Sequence, residues 1–356
     1  MTERETERGL ITQEHIRNLP KVELHLHLEG AATPEFLEKL SSPQIDNGDA
    51  GATDWADLLA FADFDEFLRA YRRVCTALRG PSEYLALFRH VQRYLQAENI
   101  RYAELLMTPA IPWHFGVDAT EILDALLDET AGFENSSQVR IRWILDCVRQ
   151  FGPESAERTA ELAYEMKNRG VVGVGLGGAE LAVPAKTFAE VFSWVRSHGL
   201  FVHIHAGEVG PPQSVWDALE ILGANRIGHG IQAARDAKLM ATLKSRAVSL
   251  DVCLTSNVKT RAWPMLREHP LPLLVRRGVP LSLHTDDPGL FSTTLTREYH
   301  LAVRTFGFDE NDLYRMLVQA AWSAFIPPGE KLAFVENFAA ELNTQLISNE
   351  RFDTAR

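Results

Sequence analysis

Eight short apolar runs, separated by longer segments, constrain the fold of this sequence more than any other feature. Amphipathic segments such as 82–99, 156–170 and 214–224 lie between them, with apolar residues at helical spacing. Strands that alternate with helices form parallel sheets, and eight such units close into a barrel. We therefore predict an α/β fold, a (β/α)8 TIM barrel. A doubly wound open sheet is the alternative, but no GxGxxG follows the first run. The predicted strands are 22–26, 100–106, 141–146, 171–176, 200–205, 225–229, 247–252 and 279–284.

Residues 31–80, between the first two predicted strands, are too many for one crossover helix. Residues 41–54 indicate a polar loop, and the aromatic-rich residues 55–74 indicate one or two helices. These helices can serve either as extra core packing or as a lid over the barrel mouth. We expect an N-terminal helical lid insertion at 31–80, a helical segment at 309–345 that closes the ring, and one barrel domain over residues 1–356.

Composition and charge exclude several classes of protein. The 356 residues are 46% hydrophobic, and the formal net charge is −12 with no Lys/Arg-rich run, so we expect no nucleic-acid partner. No apolar run approaches the roughly 20 residues of a membrane helix. The first residues are charged and lack an apolar core, so we expect no signal peptide there. The three cysteines lack CxxC spacing, which argues against disulfides and a thiolate zinc site. We expect a cytoplasmic protein with no membrane partner; its oligomeric state stays open.

The segment VELHLHLEG (22–30) places two histidines on the first predicted strand. Residues i and i+2 of a strand point to the same face, so His25 and His27 aim at one point. Two imidazoles directed at one point are typical of metal ligands, and a hydrogen-bonded pair of core histidines is the alternative.

Further polar residues follow the carboxyl ends of other predicted strands, where the active sites of barrels form. His205 ends the fifth strand, His229 ends the sixth, and Asp286 and Asp287 follow the eighth. Each has an ordinary explanation by itself, such as a turn residue. Their convergence on one barrel mouth favours a functional site.

The donor set suits one metal ion per chain. His25, His27 and His205 supply three imidazoles and Asp286 a carboxylate, which fits Zn²⁺ with an open position for water. A second metal would often need a bridging lysine on the fourth strand, and VVGVGLGGAE contains none. Zn²⁺ at such a site would lower the pKa of water towards about 7. Glu208, three residues beyond His205, is placed to act on a substrate without being a ligand.

Four motifs in this order resemble the adenosine deaminase family of the amidohydrolase superfamily. They are HLHLEG, HAGE, RIGHG and TDDP, and the resemblance also includes PKVELHLHLEG and DVCLTSN (251–257), so that it covers nearly the whole chain. The HxE and PCxxC signature of the other zinc deaminase class is absent from the sequence.

The resemblance implies a role for each matching residue. His25, His27, His205 and Asp286 would bind Zn²⁺, and His27 would also lie beside the substrate. In the catalytic step, the resemblance gives roles to Glu208, His229 and Asp286. Glu208 would protonate the purine N1, His229 would orient and polarise the attacking oxygen, and Asp286 would also contact that oxygen. Around the purine, Asp287 would bond to N7, and the backbone of Gly178 would meet N3.

Several departures from the family pattern concern the group attached at purine N9. Glu29 stands where adenosine deaminases usually carry an aspartate that meets the ribose, and Leu106 replaces an arginine. Gly175 and Ala179 replace acidic residues, and His284 stands where asparagine is common. Adenine deaminases of this family also carry glutamate at the position of Glu29, but their fourth-strand motif differs from GLGGAE.

A third branch of the family deaminates 6-aminodeoxyfutalosine, an adenosine with a carboxyphenyl extension. Arg69, Arg72 and Arg73 lie in the expected lid, where one of them could pair with such a carboxylate. A solvated helix face is the alternative interpretation of these arginines.

The resemblance thus implies a zinc-dependent hydrolase that removes the 6-amino group of an aminopurine nucleoside and releases ammonia. Adenosine and 6-aminodeoxyfutalosine are the leading substrates, and free adenine is the third. The alternatives are another mononuclear-metal amidohydrolase and an inactive barrel that acts as a binding protein.

Overall fold

The computed structural model describes residues 11–40, 55 and 60–353, with side chains described as far as residue 346. Its centre is one eight-stranded sheet in which each strand pairs in parallel with the next in the chain. Two backbone hydrogen bonds join β1 to Asp286, from His27 N to Asp286 O at 2.9 Å and from Asp286 N to His25 O at 2.8 Å. These bonds bring the last strand back to the first, and the predicted TIM barrel is confirmed. The strands are β1 (Lys21–His27), β2 (Ile100–Met107), β3 (Arg140–Val148), β4 (Val171–Gly177), β5 (Phe201–Ala206), β6 (Arg226–His229), β7 (Ser249–Val252) and β8 (Leu281–Leu283).

Helices surround the sheet, and most of them follow a strand as the alternating sequence pattern predicts. The first set is α1 (Gln13–Asn18), α2 (Pro34–Leu40), α3 (Phe64–Ala77), α4 (Pro81–Ala97), α5 (Ala110–His114), α6 (Ala119–Ser136), α7 (Gly152–Glu165) and α8 (Ala189–Ser197). The second set is α9 (Pro212–Asp217), α10 (Ala237–Arg246), α11 (Leu254–Lys259), α12 (Leu271–Arg277), α13 (Pro288–Phe291), α14 (Leu295–Phe306), α15 (Glu310–Ser323) and α16 (Pro328–Asp353). Short 3₁₀ turns include Glu29–Ala31 and Arg149–Phe151.

All eight predicted runs coincide with strands, and the differences lie at the strand ends. β7 begins at Ser249 rather than 247, because Ala247 ends α10 in the left-handed conformation, with φ of 53°. β8 begins at Leu281 rather than 279, since Pro280 has no N–H to donate to the ladder. The predicted C-terminal helical segment is two helices, and Pro327 and Pro328 lie at the break between them.

The expected lid insertion is only partly within the described residues. Residues 41–54 and 56–59, which include the predicted polar loop, lie outside them. The predicted helical part includes α3, which begins after Asp63, whose carboxylate accepts a hydrogen bond from Glu66 N at 2.9 Å. Phe67, Val74 and Cys75 are buried on its inner face.

Alternate side chains of β1 face two different environments, the layer of helices and the interior of the barrel. Val22, Leu24 and Leu26 belong to the apolar core beside the helices. Glu23 and His25 are also fully buried, on the opposite face. The strand therefore covers its outer face with leucines and brings polar side chains to the inside of the barrel.

Candidate active site

The end of β1 and the residue after β8 are held together by their backbones. Besides the two hydrogen bonds that close the barrel, Leu26 and Asp286 form a parallel bridge. Asp286 has φ of 65°, a left-handed conformation that is rare outside glycine and is typical of functional sites. This backbone conformation directs the carboxylate of Asp286 to the histidines of β1, with its Oδ1 3.2 Å from His25 Nε2 and 3.4 Å from His27 Nε2.

β5 and β6 bring two further imidazoles to the same point. His205 ends near His27, with 3.1 Å between their Nε2 atoms. Its neighbour in the β5–β6 register is Gly228, and the next pair is Ala206 with His229. His229 also has a left-handed backbone, with φ of 60°. Ligand-type atoms of His25, His205, His229 and Asp286 all lie within 4.8 Å of one another.

The separations between these atoms fit a divalent metal ion. Ligand atoms about 2.0–2.2 Å from Zn²⁺ at tetrahedral angles lie about 3.3–3.6 Å apart. Asp286 Oδ1 lies 3.2 Å from His25 Nε2 and 3.4 Å from His27 Nε2, and 3.1 Å separates the Nε2 atoms of His27 and His205. His25 Nε2 is buried and makes no hydrogen bond, as expected of an atom that binds a metal. The predicted ligands therefore converge.

The electrostatics of the cluster favour a cation. Burial opposes a charge on His25, yet the carboxylates of Asp251 and Asp286 raise its pKa to about 10. Burial also opposes ionisation of Asp286, but His25 and His229 hold the pKa of that carboxyl well below its usual range. Burial lowers the pKa of His27 to about 3. The carboxylates thus stabilise positive charge at the point that the histidines share, which is what a divalent ion requires.

Glu208 lies above this cluster on the loop after β5. Its Oε2 is 3.6 Å from His229 Nε2, and its Oε1 accepts a hydrogen bond from the Thr260 hydroxyl at 3.4 Å. Burial and the charges of Asp286 and Glu180 raise the pKa of Glu208 well above its usual value. A raised pKa favours the protonated carboxyl, the form that general acid catalysis requires.

Glu180, which the sequence interpretation did not single out, holds the loop that carries Glu208. Its carboxylate accepts hydrogen bonds from four successive backbone N–H groups, those of residues 207–210, the last three at 3.1, 3.0 and 2.8 Å. Glu180 follows β4 and is buried. The sequence signal was the acid that ends GLGGAE, but its partners are backbone groups and leave no trace in the residue types.

Asp287 lies beside Asp286 and lines the cavity. Its Oδ1 is buried without a hydrogen-bond partner, and burial together with the charges of Asp286 and Glu208 raises the pKa of Asp287 well above its usual range. The close approach of Asp287 explains the glycine of HLHLEG, because a Cβ on Gly30 would be 1.7 Å from Asp287 Oδ1.

The predicted substrate-contacting residues divide into two groups. His27, Asp287 and Gly178 line the cavity. The carboxylate of Glu29 instead lies against Tyr71 Oη at 3.4 Å, Tyr84 Oη at 3.3 Å and Thr108 N at 3.2 Å, and Glu29 is not among the lining residues. Glu29 therefore connects the start of the site to α3 and α4.

Asp146, at the end of β3, is a second residue that the sequence interpretation missed. A Cβ on Gly175 would be 2.2 Å from Asp146 Oδ1, so the carboxyl fills the space above the glycine that replaces the family's usual acid. Asp146 lines the cavity, and burial raises its pKa to about 8. An acidic group is thus present here, but β3 supplies it. Leu106 and His284 are buried elsewhere and do not line the cavity.

The cavity continues outwards from the cluster to the barrel mouth, with a volume of about 460 Å³. Pockets of about 300–1,000 Å³ accommodate ligands of drug size. Arg69 and Arg72 of α3 line the outer part, whereas Arg73 does not. The apolar residues of this outer part are Phe64, Phe67, Leu68, Ile111, Phe115 and Phe151.

Comparison with known proteins agrees with this geometry. The sequence matches the adenosine deaminase family over residues 20–341. The chain belongs to the adenosine deaminase family. An aminodeoxyfutalosine deaminase from Streptomyces avermitilis is 37% identical over 346 residues, which are 96% of this chain and 95% of that protein. An adenine deaminase from Cupriavidus taiwanensis is 33% identical over 90% of this chain and 92% of its own length. The crystal structure of Arabidopsis ADAL in complex with IMP superposes with a TM-score of 0.84 and 27% identity, over 93% of this chain and 99% of that chain.

Membership of this family makes the chain a deaminase, a hydrolase that acts on the C–N bond of a cyclic amidine. The predicted family and reaction class are therefore confirmed. The family and the histidine–aspartate cluster together imply a divalent metal cofactor and a small-molecule substrate. Within the described part of the chain, none of the helices has the length and apolar character needed to span a membrane.

Proposed function

We propose that this deaminase uses one Zn²⁺ per chain to remove the 6-amino group of an adenine nucleoside. The observation that carries the proposal is the convergence of His25, His27, His205 and Asp286 on one buried point beside two carboxyls with raised pKa values. Zn²⁺ at that point would act as a Lewis acid and make a water nucleophilic at neutral pH. The remaining steps belong to side chains of this chain.

Glu208 is the proposed proton donor. Its raised pKa favours the protonated carboxyl, the form that can donate to the purine N1 and make C6 more electrophilic. His229 faces the same space and would orient the attacking oxygen. The burial of Glu208 and His229 excludes bulk water, which strengthens both interactions.

Asp287 and Gly178 would hold the other edges of the purine. The raised pKa of Asp287 favours the protonated carboxyl, which can donate to an acceptor such as N7. The free Oδ1 of Asp287 has no partner within the described protein, as expected for a group that waits for a ligand. Gly178 lines the cavity at a left-handed φ of 87°, where its backbone is accessible to N3.

The outer cavity favours a nucleoside with an extended anionic substituent, and we infer that 6-aminodeoxyfutalosine is a better substrate than free adenine. Adenine alone would leave the apolar outer walls uncovered and Arg72 without an ionic partner. Arg69 pairs with Glu66 at 3.6 Å, but Arg72 forms no ion pair with any described residue. A guanidinium at the mouth matches the carboxylate of the carboxyphenyl group. The similarity to Streptomyces avermitilis aminodeoxyfutalosine deaminase supports the same substrate.

An ultraviolet deamination assay on the Zn²⁺-loaded protein tests the substrate. The panel is adenine, adenosine, 5′-substituted adenosines and 6-aminodeoxyfutalosine. We expect the highest kcat/KM for the anionic nucleoside. The Arg72→Ala variant should lower that kcat/KM by about 10- to 100-fold, the worth of a hydrogen bond to a charged group, and leave adenosine unaffected. Arg73→Ala, next in the chain but outside the cavity, is the matched control and should change neither.

Two results would contradict this proposal. Free adenine as the best substrate would favour an adenine deaminase, for which the engaged carboxylate of Glu29 and the similarity to the Cupriavidus enzyme are the supporting observations. Unchanged activity of Asp287→Ala on the preferred purine would favour a different metal-dependent amidohydrolase, because a generic hydrolase needs no group for N7.

A further inference from the structure

A buried chain of hydrogen bonds extends from His229 away from the cavity. His229 Nδ1 lies 3.1 Å from Asn257 Nδ2, and Asn257 Oδ1 lies 3.2 Å from His269 Nε2. His269 Nδ1 accepts a hydrogen bond from the backbone N–H of Leu271 at 3.2 Å. The exposures of His229, Asn257 and His269 are 1%, 0% and 3%, so water does not compete for these contacts.

The backbone N–H at one end fixes the direction of every bond in this chain. An amide N–H can only donate, so His269 Nδ1 is the acceptor and the proton of the neutral ring is on Nε2. His269 Nε2–H then donates to the side-chain oxygen of Asn257, which leaves the NH₂ group of Asn257 to face His229. His229 Nδ1 must therefore accept, and the proton of neutral His229 is on Nε2. The assignment does not depend on the choice of amide orientation or tautomer.

We propose that Asn257 and His269 are positioning residues that hold neutral His229 as the Nε2–H tautomer, so that His229 donates a hydrogen bond into the cavity and neither accepts a proton nor binds the metal through Nε2. The proposal rests on the proposed function for the identity of the reaction. The tautomer itself follows from the hydrogen bonds alone.

The surroundings of His229 Nε2 are those of a donor. The nearest carboxylate oxygens are Glu208 Oε2 at 3.6 Å and Asp286 Oδ2 at 3.8 Å, both acceptors when ionised. The rings of His229 and His269 are both almost completely buried, which disfavours the charged imidazolium form. With its proton on Nε2, His229 can donate a hydrogen bond to a lone pair of the attacking oxygen and so orient that oxygen. Proton acceptance then falls to a carboxyl group rather than to an imidazole.

The tautomer of His229 also decides which of the converging side chains can bind the metal. The candidates are His25, His27, His205, His229 and Asp286. A ring nitrogen that carries a proton has no lone pair for a metal, so His229 is excluded although its atoms lie within 4.8 Å of the others. The metal ligand is then His27 instead of His229, and His27 Nε2 lies 3.4 Å from Asp286 Oδ1.

Long-range ¹H–¹⁵N NMR of histidine-labelled, Zn²⁺-loaded protein measures the tautomer directly. His229→Asn identifies the signals that belong to His229. We expect wild-type His229 to show a protonated Nε2 and an unprotonated Nδ1 at pH 7. A protonated Nδ1 overturns the proposal.

Asn257→Asp is the decisive variant, because it is isosteric but presents only acceptors to both histidines. It should switch His229 to the Nδ1–H form in the NMR spectrum and lower kcat by about 10²- to 10⁴-fold, as a wrong histidine tautomer does in other hydrolases, with little change in KM. A switched tautomer with unchanged kcat overturns the proposed role. Asn225→Asp adds the same charge before β6, at the opposite end of the barrel, and should alter neither the spectrum nor the rate.

His269 gives a second test if Asn257→Asp does not fold. His269→Gln keeps an N–H donor for Asn257 Oδ1, whereas His269→Leu removes it. We expect His269→Gln to keep the wild-type tautomer and to retain at least about ten times the kcat of His269→Leu. Equal kcat values and equal spectra for the two variants overturn the proposal. Wild-type protein inactive on every purine but with protonated Nε2 would contradict the proposed function and leave the tautomer established.

Discussion

The barrel contains two groups of buried charge, and they are balanced in different ways. The inner group is centred on Arg226, which lies 2.7 Å from both Glu104 Oε2 and Asp251 Oδ2 and also donates to the carbonyl of Leu24. His203 contacts the same Asp251 oxygen at 3.0 Å. The outer group, at the carboxyl ends of the strands, contains Asp286, Asp287 and Glu208. Among the described residues, the basic partners of Asp286 and Glu208 within ion-pair distance are histidines.

The difference indicates that the charges of the inner group stabilise the fold, whereas those of the outer group serve to bind a ligand. Arg226 keeps the pKa of Asp251 well below its usual range although burial opposes ionisation, so the inner carboxylate is neutralised by the protein itself. In the outer group, the raised pKa values of Glu208 and Asp287 favour their protonated, uncharged forms. Asp286 instead favours its ionised form, because His25 and His229 lower its pKa. A buried carboxylate without an internal cation is costly, which favours a metal ion at the outer group. Ligand-type atoms of His25, His203 and Asp251 also lie close together in the inner group, but Asp251 is already paired with Arg226.

The largest contrast is expected between two histidines of one strand, His205 and His203. His205→Ala removes a proposed metal ligand of the outer group and should abolish activity. Its metal affinity should fall by more than the roughly 10- to 100-fold that is typical when a residue that only hydrogen-bonds to a ligand is lost. His203→Gln changes the inner group and should retain about one metal per chain. Metal analysis by mass spectrometry and the deamination assay measure both. Equal metal loss from the two variants would contradict the claim that the outer group, and not the inner group, binds the metal.

Glu208→Gln should lower kcat by about 10²- to 10⁴-fold with the metal retained, because the amide cannot supply the proton. The raised pKa sets the pH dependence: the acid form is present below this pKa and disappears as pH rises through it. Wild-type kcat should therefore fall towards high pH, and the variant should lose that limb. A variant with wild-type kcat at pH 7 would exclude Glu208 as the proton donor.

Arg226→Met tests whether the inner group stabilises the fold. It leaves Glu104 and Asp251 buried without their cation, so the free energy of unfolding should fall by about 3–5 kcal/mol in urea titrations. Arg89→Met removes an exposed ion pair with Glu129 and is the matched control, with an unfolding midpoint close to wild type. If Arg226→Met were as stable as the control, the inner group would not be a structural ion pair.

Glu180→Gln should have the smallest effect of the four. The amide replaces an acceptor with a donor that faces backbone N–H groups, so the loop of Glu208 shifts and kcat falls by about 10- to 100-fold. Metal content should stay at the wild-type level. A loss of metal together with kcat would show that Glu180 supports the outer cluster as a whole rather than the loop that carries Glu208.

Much of this molecule follows from the sequence because the relevant physics is local. Apolar runs of four to eight residues between amphipathic helices specify parallel strands that are buried on both faces. The period of two on β1 directs His25 and His27 to the same side, and barrel topology brings the ends of β5, β6 and β8 to the same mouth. The fold and the convergence of the predicted ligands were accordingly predictable.

Tertiary structure decided what depends on contacts between distant side chains and backbone groups. Only the folded barrel shows that Asp146 of β3 fills the space above Gly175, or that the carboxylate of Glu29 lies against Tyr84. The sequence names His229 and Asn257 but not the N–H of Leu271, which sets the direction of their hydrogen bonds. Residue types determine which groups can donate or accept, whereas the partners that three-dimensional packing supplies decide which of them do.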